Sequence, residues 1–408
     1  MVTAVKLLSI PEEKYYDYRL DVIFDGYKWD PQVSDNEAIA RHVLVLSENE
    51  HKELVCLTEK LDKETVLAER MLCRNLKLTG PLKLPGKIRR ELKNISSYQP
   101  GDHIRLMRYD FHPVRGGGWK ISEVNSDVPG GLAEASLMPE IAAKLFDNGL
   151  YRSINLGDTI VAAADKKIKP GGTIVFIHCT SYSDDRQVMQ FLGDRLKKSG
   201  FNTVYAAADH LRFEDNEAIC VLDGSCGKAD AIFRFTPIEW LVNIKPKRWQ
   251  GYFNTVTASC NHPVAIFAQT KRFPFVWDLL EKHDIRMTVW RELLPETLDV
   301  KDAEEKAGFI FKPVYGRVGE RISIKEACRD DEYDKILKDV KRNPKKYLLQ
   351  RKFDSNPLTD ENGKSFHVCL GSYTVEGAAA GYYARLSKTP RIDFDAADIP
   401  VLIERENS

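Results

Sequence analysis

Two short segments of the chain place acidic and amide side chains where they could bind a metal ion. Arg108-Tyr-Asp110 and Glu123-Val-Asn125 flank a glycine-rich turn, which predicts a β-hairpin. On a strand Glu123 and Asn125 face the same side, and Asp110 can lie opposite them. Carboxylate and amide oxygens together with nucleotide phosphates suit magnesium. The pattern fits a magnesium-nucleotide site with Arg108 beside the transferred group, but the spacing alone favours the alternative, polar residues on the solvated face of a hairpin.

A second candidate site is a glycine-flanked turn that follows a predicted apolar strand. Lys312 ends the strand, and Gly316, Arg317 and Gly319 follow it. Basic side chains at such a turn could neutralise phosphate oxygens and close over them. The alternative is a surface lysine at a strand end, before an ordinary loop.

Lys271 and Arg385 extend this basic set. Lys271 lies just before a predicted helix and is a candidate phosphate contact, whereas Arg385 ends an apolar run and is a candidate contact for a buried anion. For both residues a purely structural position is the alternative. Trp240 and Arg234 either line a pocket or pack in the core.

Several common catalytic motifs are absent from the sequence. The glycines before Lys87 are wrongly spaced for a P-loop, and Ile88 stands where Ser or Thr would bind magnesium. We find no dinucleotide glycine fingerprint, no zincin histidine pair and no Gly-x-Ser-x-Gly elbow. A partial calcium-loop pattern that begins at Asp393 has Asp398 where the loop needs glycine, which excludes calcium there.

The hydrophobic patterning of the N-terminal part predicts helices and then a hairpin. Residues 36–76 have apolar side chains at three- and four-residue spacing, which is typical of about two amphipathic helices. Strands at 104–109 and 119–124 would form the hairpin, and a helix over 132–146 follows.

The rest of the chain alternates strands and helices. An α/β unit with a parallel sheet is predicted over 171–240, with strands at 173–177, 202–206, 218–222 and 229–233 and a helix at 185–198. A strand at 264–267 and a helix at 274–283 then lead to an acidic linker, 296–305. The predicted C-terminal elements are strands 308–312, 322–324, 347–350, 367–373 and 381–386 and a helix at 331–342.

Length and composition indicate an ordinary soluble globular protein. The 408 residues are 43% hydrophobic and 29% charged, which allows two or three domains. The formal net charge is zero, so a globally basic footprint for nucleic acid is absent. Apolar stretches are far shorter than the roughly 20 residues that span a bilayer. Without a secretory signal pattern, we expect a cytoplasmic protein whose scattered cysteines are buried thiols.

Taken in order, these motifs resemble the synthetase domain of the glutathionylspermidine synthase family. The matching segments are Arg108-Tyr-Asp110-Phe, Glu123-x-Asn125-x-Asp127, Asp209-His-Leu, 229–240, Thr270-Lys271, 312–319, Tyr347-Leu-Leu-Gln350 and Gly381-Tyr-Tyr-Ala-Arg385. The resemblance implies an α/β fold, the circularly permuted ATP-grasp. Residues 1–155 would supply N-terminal helices and the metal-binding part, 156–295 a Rossmann-like middle unit, and 296–408 the ATP-binding part.

The resemblance also implies a role for each set of candidate side chains. The residues that would ligate magnesium are Asp110, Glu123 and Asn125. The residues that would bind ATP are Lys271, Lys312, Gly316, Arg317, Gly319 and Gln350, the last beside the adenine. The residues that would stabilise the acyl phosphate and its tetrahedral adduct are Arg108 and Arg385.

The implied function is ATP-dependent ligation of a carboxylate to an amine. The carboxylate would attack the γ-phosphate to give an acyl phosphate and ADP, and an amine would then displace phosphate to give an amide or peptide bond. The partners would be small molecules whose identity, like the oligomeric state, the sequence leaves open. Two alternatives remain: a catalytically degenerate nucleotide-binding regulator or scaffold, and a phosphotransferase that needs no amine.

The chain departs from the family pattern after Asn125. Ser126-Asp127 is followed by Val128-Pro129-Gly130-Gly131 instead of small hydroxyl residues that help to hold glutathione, so glutathione is not the expected substrate. The acidic residues of 296–305 either select a polyamine or form a solvated linker. Residues 356–364 have no family counterpart and are expected to form a mobile loop near the nucleotide.

Overall fold

The structure, a computed structural model, describes residues 5–33, 35–95, 98–146, 149–222, 227–302, 307–316 and 319–406. Its principal elements form a mixed α/β protein arranged around four larger sheets. Within the described ranges, no helix is both long enough and apolar enough to span a membrane.

The strands and α-helices are numbered separately in chain order. The strands are β1 (Val5–Ser9), β2 (Gln32–Val33), β3 (Asn36–Glu37), β4 (His42–Leu46), β5 (Leu106–Pro113), β6 (Trp119–Asn125), β7 (Tyr151–Arg152), β8 (Thr173–Ile177), β9 (Asn202–Ala206), β10 (Leu211–Glu214), β11 (Glu217–Cys220), β12 (Ala231–Arg234), β13 (Ala258–Cys260), β14 (Thr297–Asp299), β15 (Phe309–Pro313), β16 (Tyr347–Arg351), β17 (Leu358–Thr359), β18 (Ser365–Val375), β19 (Ala378–Ser387), β20 (Ala397–Ile399) and β21 (Val401–Glu404). The helices are α1 (Glu12–Phe24), α2 (Glu48–Arg74), α3 (Gly86–Leu92), α4 (Glu134–Leu145), α5 (Leu156–Lys167), α6 (Ser183–Lys198), α7 (Ile238–Leu241), α8 (Ile266–Gln269), α9 (Trp277–Glu281), α10 (Thr288–Leu293) and α11 (Asp330–Arg342).

The predicted hairpin is confirmed and lies in a six-stranded antiparallel sheet. The strand order is β20-β19-β18-β5-β6, and β17 pairs with β18. Helix α2 covers one face of this sheet with an apolar stripe that includes Leu54, Leu61 and Ala68, all fully buried. Helices α4 and α5 pack on part of the other face, and the site described below is built on the rest of it.

Residues 36–76 differ from the predicted pair of helices. The α-helix in this segment is α2, which begins at Glu48 after the capping residue Ser47, whose side chain accepts a hydrogen bond from the Glu50 amide at 3.2 Å. Residues 42–46 instead form β4, which lies between β1 and β21. Because β4 is buried on both faces from Val43 to Leu46, it lacks the alternating pattern that marks a half-buried strand.

The two ends of the described chain meet in a second sheet, ordered β1-β4-β21-β7. Strand β21 is parallel to β4 and antiparallel to β7, so the last strand lies inside the sheet and not at its edge. Helices α1 and α4 pack together on this sheet. Helix α4 is thereby fixed with its first turn towards the central sheet.

The predicted parallel α/β unit is confirmed, with two corrections. Its sheet has the order β13-β12-β8-β9 with all pairings parallel, and α5 and α6 pack against it. The predicted strand at 218–222 is instead β11, which forms an antiparallel hairpin with β10 outside this sheet. The predicted strand at 264–267 is wrong because these buried apolar residues lie in a 3₁₀ turn followed by α8.

The three-stranded sheet β14-β16-β15 is flanked by helix α11. The predicted strands at 308–312 and 347–350 are confirmed, whereas 322–324 is not a strand. Ser323 nevertheless pairs with Phe311, since its hydroxyl accepts from the Phe311 amide at 2.7 Å and its own amide donates to the Phe311 carbonyl at 3.1 Å. The acidic linker is partly strand β14, while residues 303–306 lie outside the described ranges.

The segment 356–364 is ordered by β17 and by Asp360. Asp360 accepts backbone hydrogen bonds from residues 362 and 364 and contacts His42 at 3.1 Å. The segment therefore lies against the N-terminal sheet, away from the candidate site, which corrects its predicted place near the nucleotide. The division into 1–155, 156–295 and 296–408 stays a prediction, and β5 of the first part and β18 of the last part share the central sheet.

Candidate active site

A cavity of about 350 Å³ lies between the central sheet, the three-stranded sheet and the parallel α/β unit. Every predicted site residue lines it except Arg317, which lies outside the described residues. The residues brought together are Arg108, Asp110, Glu123, Asn125, Lys271, Lys312, Gly316, Gly319, Gln350 and Arg385. Residues far apart in sequence therefore share one solvent-accessible space.

Asp110, Glu123 and Asn125 lie on the cavity face of the β5–β6 hairpin. Arg108 pairs with Asn125 across the two strands, and a register irregularity occurs between Tyr109 and Phe111. The Asn125 amide nitrogen donates to Asp110 Oδ2 at 2.9 Å. The predicted convergence of carboxylate and amide groups on one face is thus present.

Two cations balance the two carboxylates. Arg108 donates to both oxygens of Asp110, at 2.7 and 3.0 Å, and Lys271 Nζ lies 2.7 Å from Glu123 Oε2. Burial raises the pKa of Asp110 despite the opposing pull of Arg108. Burial also opposes ionisation of Glu123, but Lys271 and Lys312 outweigh it and lower the Glu123 pKa to about 2. Glu123 is therefore the more firmly ionised of the two.

Lys312 reaches the cavity from the end of β15. Its ammonium donates to the Ser122 carbonyl at 2.9 Å and to Gln350 Oε1 at 3.1 Å, and the residue is only 2% exposed. Burial lowers its pKa to about 8, against the attraction of Glu123. Because so little water contacts the Lys312 ammonium, an anionic ligand would stabilise its charged form.

Arg385, Gly316 and Gly319 line other parts of the cavity. Arg385 donates to the Ala396 carbonyl at 2.7 Å from β19. Lys271 Nζ donates to the Gly316 carbonyl at 2.7 Å, which fixes the position of Gly316. Gly319 has φ +64°, and a Cβ there would collide with the Ile392 carbonyl oxygen, so a larger residue would push the turn away from its neighbour.

The donor set fits the coordination chemistry of magnesium. Asp110, Glu123 and Asn125 offer two carboxylates and one amide oxygen, the ligand types that this ion prefers. In the part of the chain that the structure describes, no group of three or more His, Cys, Asp or Glu side chains could hold a metal ion. An ion here would depend on Asn125 and on further oxygens from a nucleotide.

A family model, the glutathionylspermidine synthase preATP-grasp, matches residues 12–404. The chain belongs to this family. No curated protein matches the chain. The sequence resemblance is therefore confirmed for the family as a whole, over nearly the full length of the chain.

Two solved structures are similar to this family member. The glutathione synthetase-like effector from Globodera pallida, in its apo form, is 12% identical, with a TM-score of 0.64 over 96% of this chain and 97% of that one. A protein provisionally assigned as a gamma-glutamylcysteine synthetase from Methylobacillus flagellatus KT is 13% identical, with coverage of 82% and 87%. Its TM-score of 0.45 is too low to establish a common fold. The first match shows a shared fold.

Sequence reasoning missed an ionic cluster on the wall of the cavity in this family member. Lys28 lies 3.0 Å from Glu134 Oε1 and 2.8 Å from Asp398 Oδ2, and the Tyr383 hydroxyl donates to Asp398 at 2.6 Å. Glu134 follows a glycine pair at the start of a predicted helix, a position that could have drawn attention to it. Nothing in the sequence around Lys28 indicates this contact.

Glycine is required at the entrance to α4. Gly131 has φ +84°, and its ideal Cβ would lie 2.7 Å from the Tyr383 ring. The chain can therefore turn into α4 beside Tyr383 only without a side chain at this position. This places Glu134, in the first turn of α4, on the cavity wall.

The structure also separates the two residues whose role was left open. Trp240 lines the cavity and is 48% exposed, and Phe235 lies on the same wall. Arg234 instead forms a fully buried ion pair with Asp127 and donates to the Thr236 carbonyl at 2.7 Å. Asp127 in addition accepts from the Ile238 amide at 2.8 Å, so this pair holds the loops behind the site together.

Proposed function

We propose that this family member is an ATP-dependent carboxylate-amine ligase built on a circularly permuted ATP-grasp fold. The observation that carries the proposal is the meeting of Asp110, Glu123 and Asn125 with Lys271 and Lys312 around one cavity. Oxygen donors next to buried cations are what phosphoryl transfer to a carboxylate requires. Family membership supports the same reaction class.

In this proposal the chain acts mainly by positioning and by charge. Lys271 and Lys312 would hold the phosphates of ATP, and Gln350, which contacts Lys312, would lie beside the adenine. Asp110, Glu123 and Asn125 would hold magnesium, which when bound offsets negative charge on the phosphates. The arginines Arg108 and Arg385 would stabilise charge on the acyl phosphate and its tetrahedral adduct.

A covalent enzyme intermediate on the cavity cysteine is not part of this mechanism. Cys369 lines the cavity beside Arg385, but burial raises the pKa of its thiol well above the usual value. The protonated thiol is a poor nucleophile. Direct attack of the substrate carboxylate on the γ-phosphate is therefore the simpler first step.

The first test is calorimetric titration of a non-hydrolysable ATP analogue with and without magnesium. We expect magnesium-dependent binding to the wild type and a large loss of affinity in Glu123→Gln and in Lys312→Ala. Glu217→Gln and Lys228→Ala, which alter an exposed ion pair, serve as matched controls and should bind normally. No binding to the folded wild type would contradict the proposal.

The second test follows ADP release and product mass with pairs of carboxylates and amines. A ligase releases ADP and yields an amide only when both substrates are present. Nucleotide binding without ADP release from any pair would instead indicate a degenerate nucleotide-binding protein. ADP release with one acceptor and a stable phosphorylated product would indicate a phosphotransferase.

A further inference from the structure

Glu134 lines the cavity and has one buried carboxylate oxygen without a hydrogen bond among the described residues. The residue is 7% exposed, and its Oε1 accepts from Lys28 at 3.0 Å and from the Gln187 amide at 3.2 Å. Its Oε2 is buried and has no hydrogen-bond partner among the residues that the structure describes. A buried carboxylate oxygen in this state is costly unless a ligand or water donates to it.

Arg385 presents the opposite feature on the same cavity. Its Nη2 is used by the Ala396 carbonyl, but its buried Nε makes no hydrogen bond within the described ranges. The carboxylate of Asp398 lies 3.6 Å from this Nε, beyond hydrogen-bond distance. The cavity wall thus holds one acceptor and one donor that are buried and make no hydrogen bond within the described ranges.

The side chains between these two atoms are already engaged. Lys28 bridges Glu134 and Asp398, and Tyr383 donates to the other oxygen of Asp398. Attraction to the two carboxylates outweighs the burial of Lys28 and raises the pKa of its ammonium well above the usual value. The cluster is therefore a fixed unit that holds Glu134 and Arg385 at its two ends.

We propose that the carboxylate substrate is an amino acid, whose ammonium donates to Glu134 Oε2 and whose reacting carboxylate accepts from Arg385 Nε. The proposal deepens the proposed function and rests on it for the identity of the reacting group. The carboxylate that Arg385 binds is the one that would attack the γ-phosphate.

Two simpler ligand classes match the cluster less well. A carboxylic acid without an amino group would satisfy Arg385 and leave Glu134 Oε2 buried without a donor. A linear polyamine would satisfy Glu134, but a further ammonium directed along the cluster would meet the fixed charges of Lys28 and Arg385. An amino acid supplies one cation and one anion, which matches one acceptor and one donor.

The test compares three probe classes on the wild-type protein by calorimetry. The probes are the standard α-amino acids, β-alanine and 4-aminobutyrate, together with their des-amino acids and their des-carboxy amines. We expect at least one amino acid to bind about tenfold or more tightly than both of its truncated analogues, since each analogue leaves one buried hydrogen-bonding atom without a partner. Titration with and without the magnesium-bound ATP analogue separates this result from the outcome for nucleotide binding.

Two variants locate the preference on the cluster. Glu134→Gln should abolish the advantage of the amino acid over its des-amino analogue, whereas Arg385→Lys should weaken every probe that carries a carboxylate. Glu140→Gln is a matched control on the same helix, because Glu140 bonds Asn155 and does not line the cavity. Thermal unfolding verifies that each variant is folded.

The wild-type comparison decides the matter even if a variant fails to fold. The proposal is overturned if no amino acid exceeds both of its analogues, or if a folded Glu134→Gln variant keeps the wild-type preference. If the nucleotide fails to bind while the amino-acid preference is present, the ligase proposal falls and the amino-acid site stands. If the nucleotide binds but no amino acid is preferred over its analogues, the amino-acid proposal falls and the ligase proposal stands.

Discussion

Two carboxylate-guanidinium pairs in this protein have the same chemistry but different roles, one structural and one at the candidate site. Asp127 and Arg234 are completely buried, and other groups complete their contacts, including the Ile238 amide and the Thr236 carbonyl. Asp110 and Arg108 lie on a cavity wall, with side chains 8% and 13% exposed. The first pair fixes loops in place, whereas the second can exchange its contacts with a ligand.

The difference depends on where strand β6 ends. Glu123, Asn125 and Asp127 follow each other at intervals of two, so a longer strand would turn all three towards the cavity. The strand ends at Asn125, and Asp127 turns to the opposite side to meet Arg234. An acidic residue that continues a functional pattern in sequence can therefore be purely structural.

The largest effect on stability is expected for Asp127→Asn. The substitution leaves the Arg234 guanidinium buried without its counter-charge, which should lower the free energy of unfolding by about 3 to 5 kcal/mol. Urea unfolding followed by circular dichroism measures this. Asp158→Asn removes the partner of Arg195 at the surface and is the matched control. Equal losses in the two variants would contradict the comparison.

The same substitution at Asp110 should affect function instead. Because the Asp110–Arg108 pair lies on a cavity wall and keeps part of both side chains exposed, the loss of stability should be smaller than for Asp127→Asn. We expect Asp110→Asn to keep a cooperative unfolding transition and to lose magnesium-dependent binding of the ATP analogue by about 100-fold, a change of about 2.7 kcal/mol. Unchanged affinity would remove Asp110 from the proposed metal set.

A smaller, pH-dependent effect is expected from Lys312. Because burial lowers its pKa from 10.5 to about 8, affinity for the ATP analogue should fall above pH 8, by up to about tenfold per pH unit. Stability should move the other way and rise between about pH 8 and 10.5, where the unfolded chain binds more protons. In Lys312→Arg the guanidinium stays charged, so calorimetry should show a flatter profile. A wild-type affinity independent of pH would contradict this assignment.

The smallest effect is expected for an exposed pair. Asp331 and Lys335 lie one turn apart on α11, 3.0 Å from each other, with more than half of each side chain exposed. Lys335→Ala should leave both the midpoint of thermal unfolding and nucleotide binding unchanged. A clear drop in either would mean that the exposure of an ion pair does not determine how much it contributes to stability or binding in this protein.

The sequence indicated which residues meet around the cavity better than it indicated the elements that carry them, while the roles of those residues stay a prediction. Hairpin β5–β6 and the strand ends at Lys312 and Arg385 follow local patterns, so their residues could be named in advance. Strand β4 was missed because burial on both faces removes the alternation that marks a strand. Residues 264–267 were misassigned because a short buried apolar run fits a strand or a helical turn equally well.

Local sequence patterns do not predict the cluster around Lys28. Its contacts join residues that are more than a hundred positions apart, such as Lys28 with Glu134 and Asp398. One sequence provides no information on which distant charges meet. The Gly131 position, where any Cβ would strike the Tyr383 ring, follows from the same long-range packing.

The position of strand β21 has a consequence for biosynthesis. Because β21 inserts between β4 and β7, the hydrogen bonds of β4 on that side stay unmade until residues 401–404 have left the ribosome. The N-terminal strands therefore keep an open edge while the more than 350 residues between β4 and β21 are synthesised, a state that is prone to aggregate. A nascent chain that stalls before residue 401 should depend on chaperones far more than the released protein does.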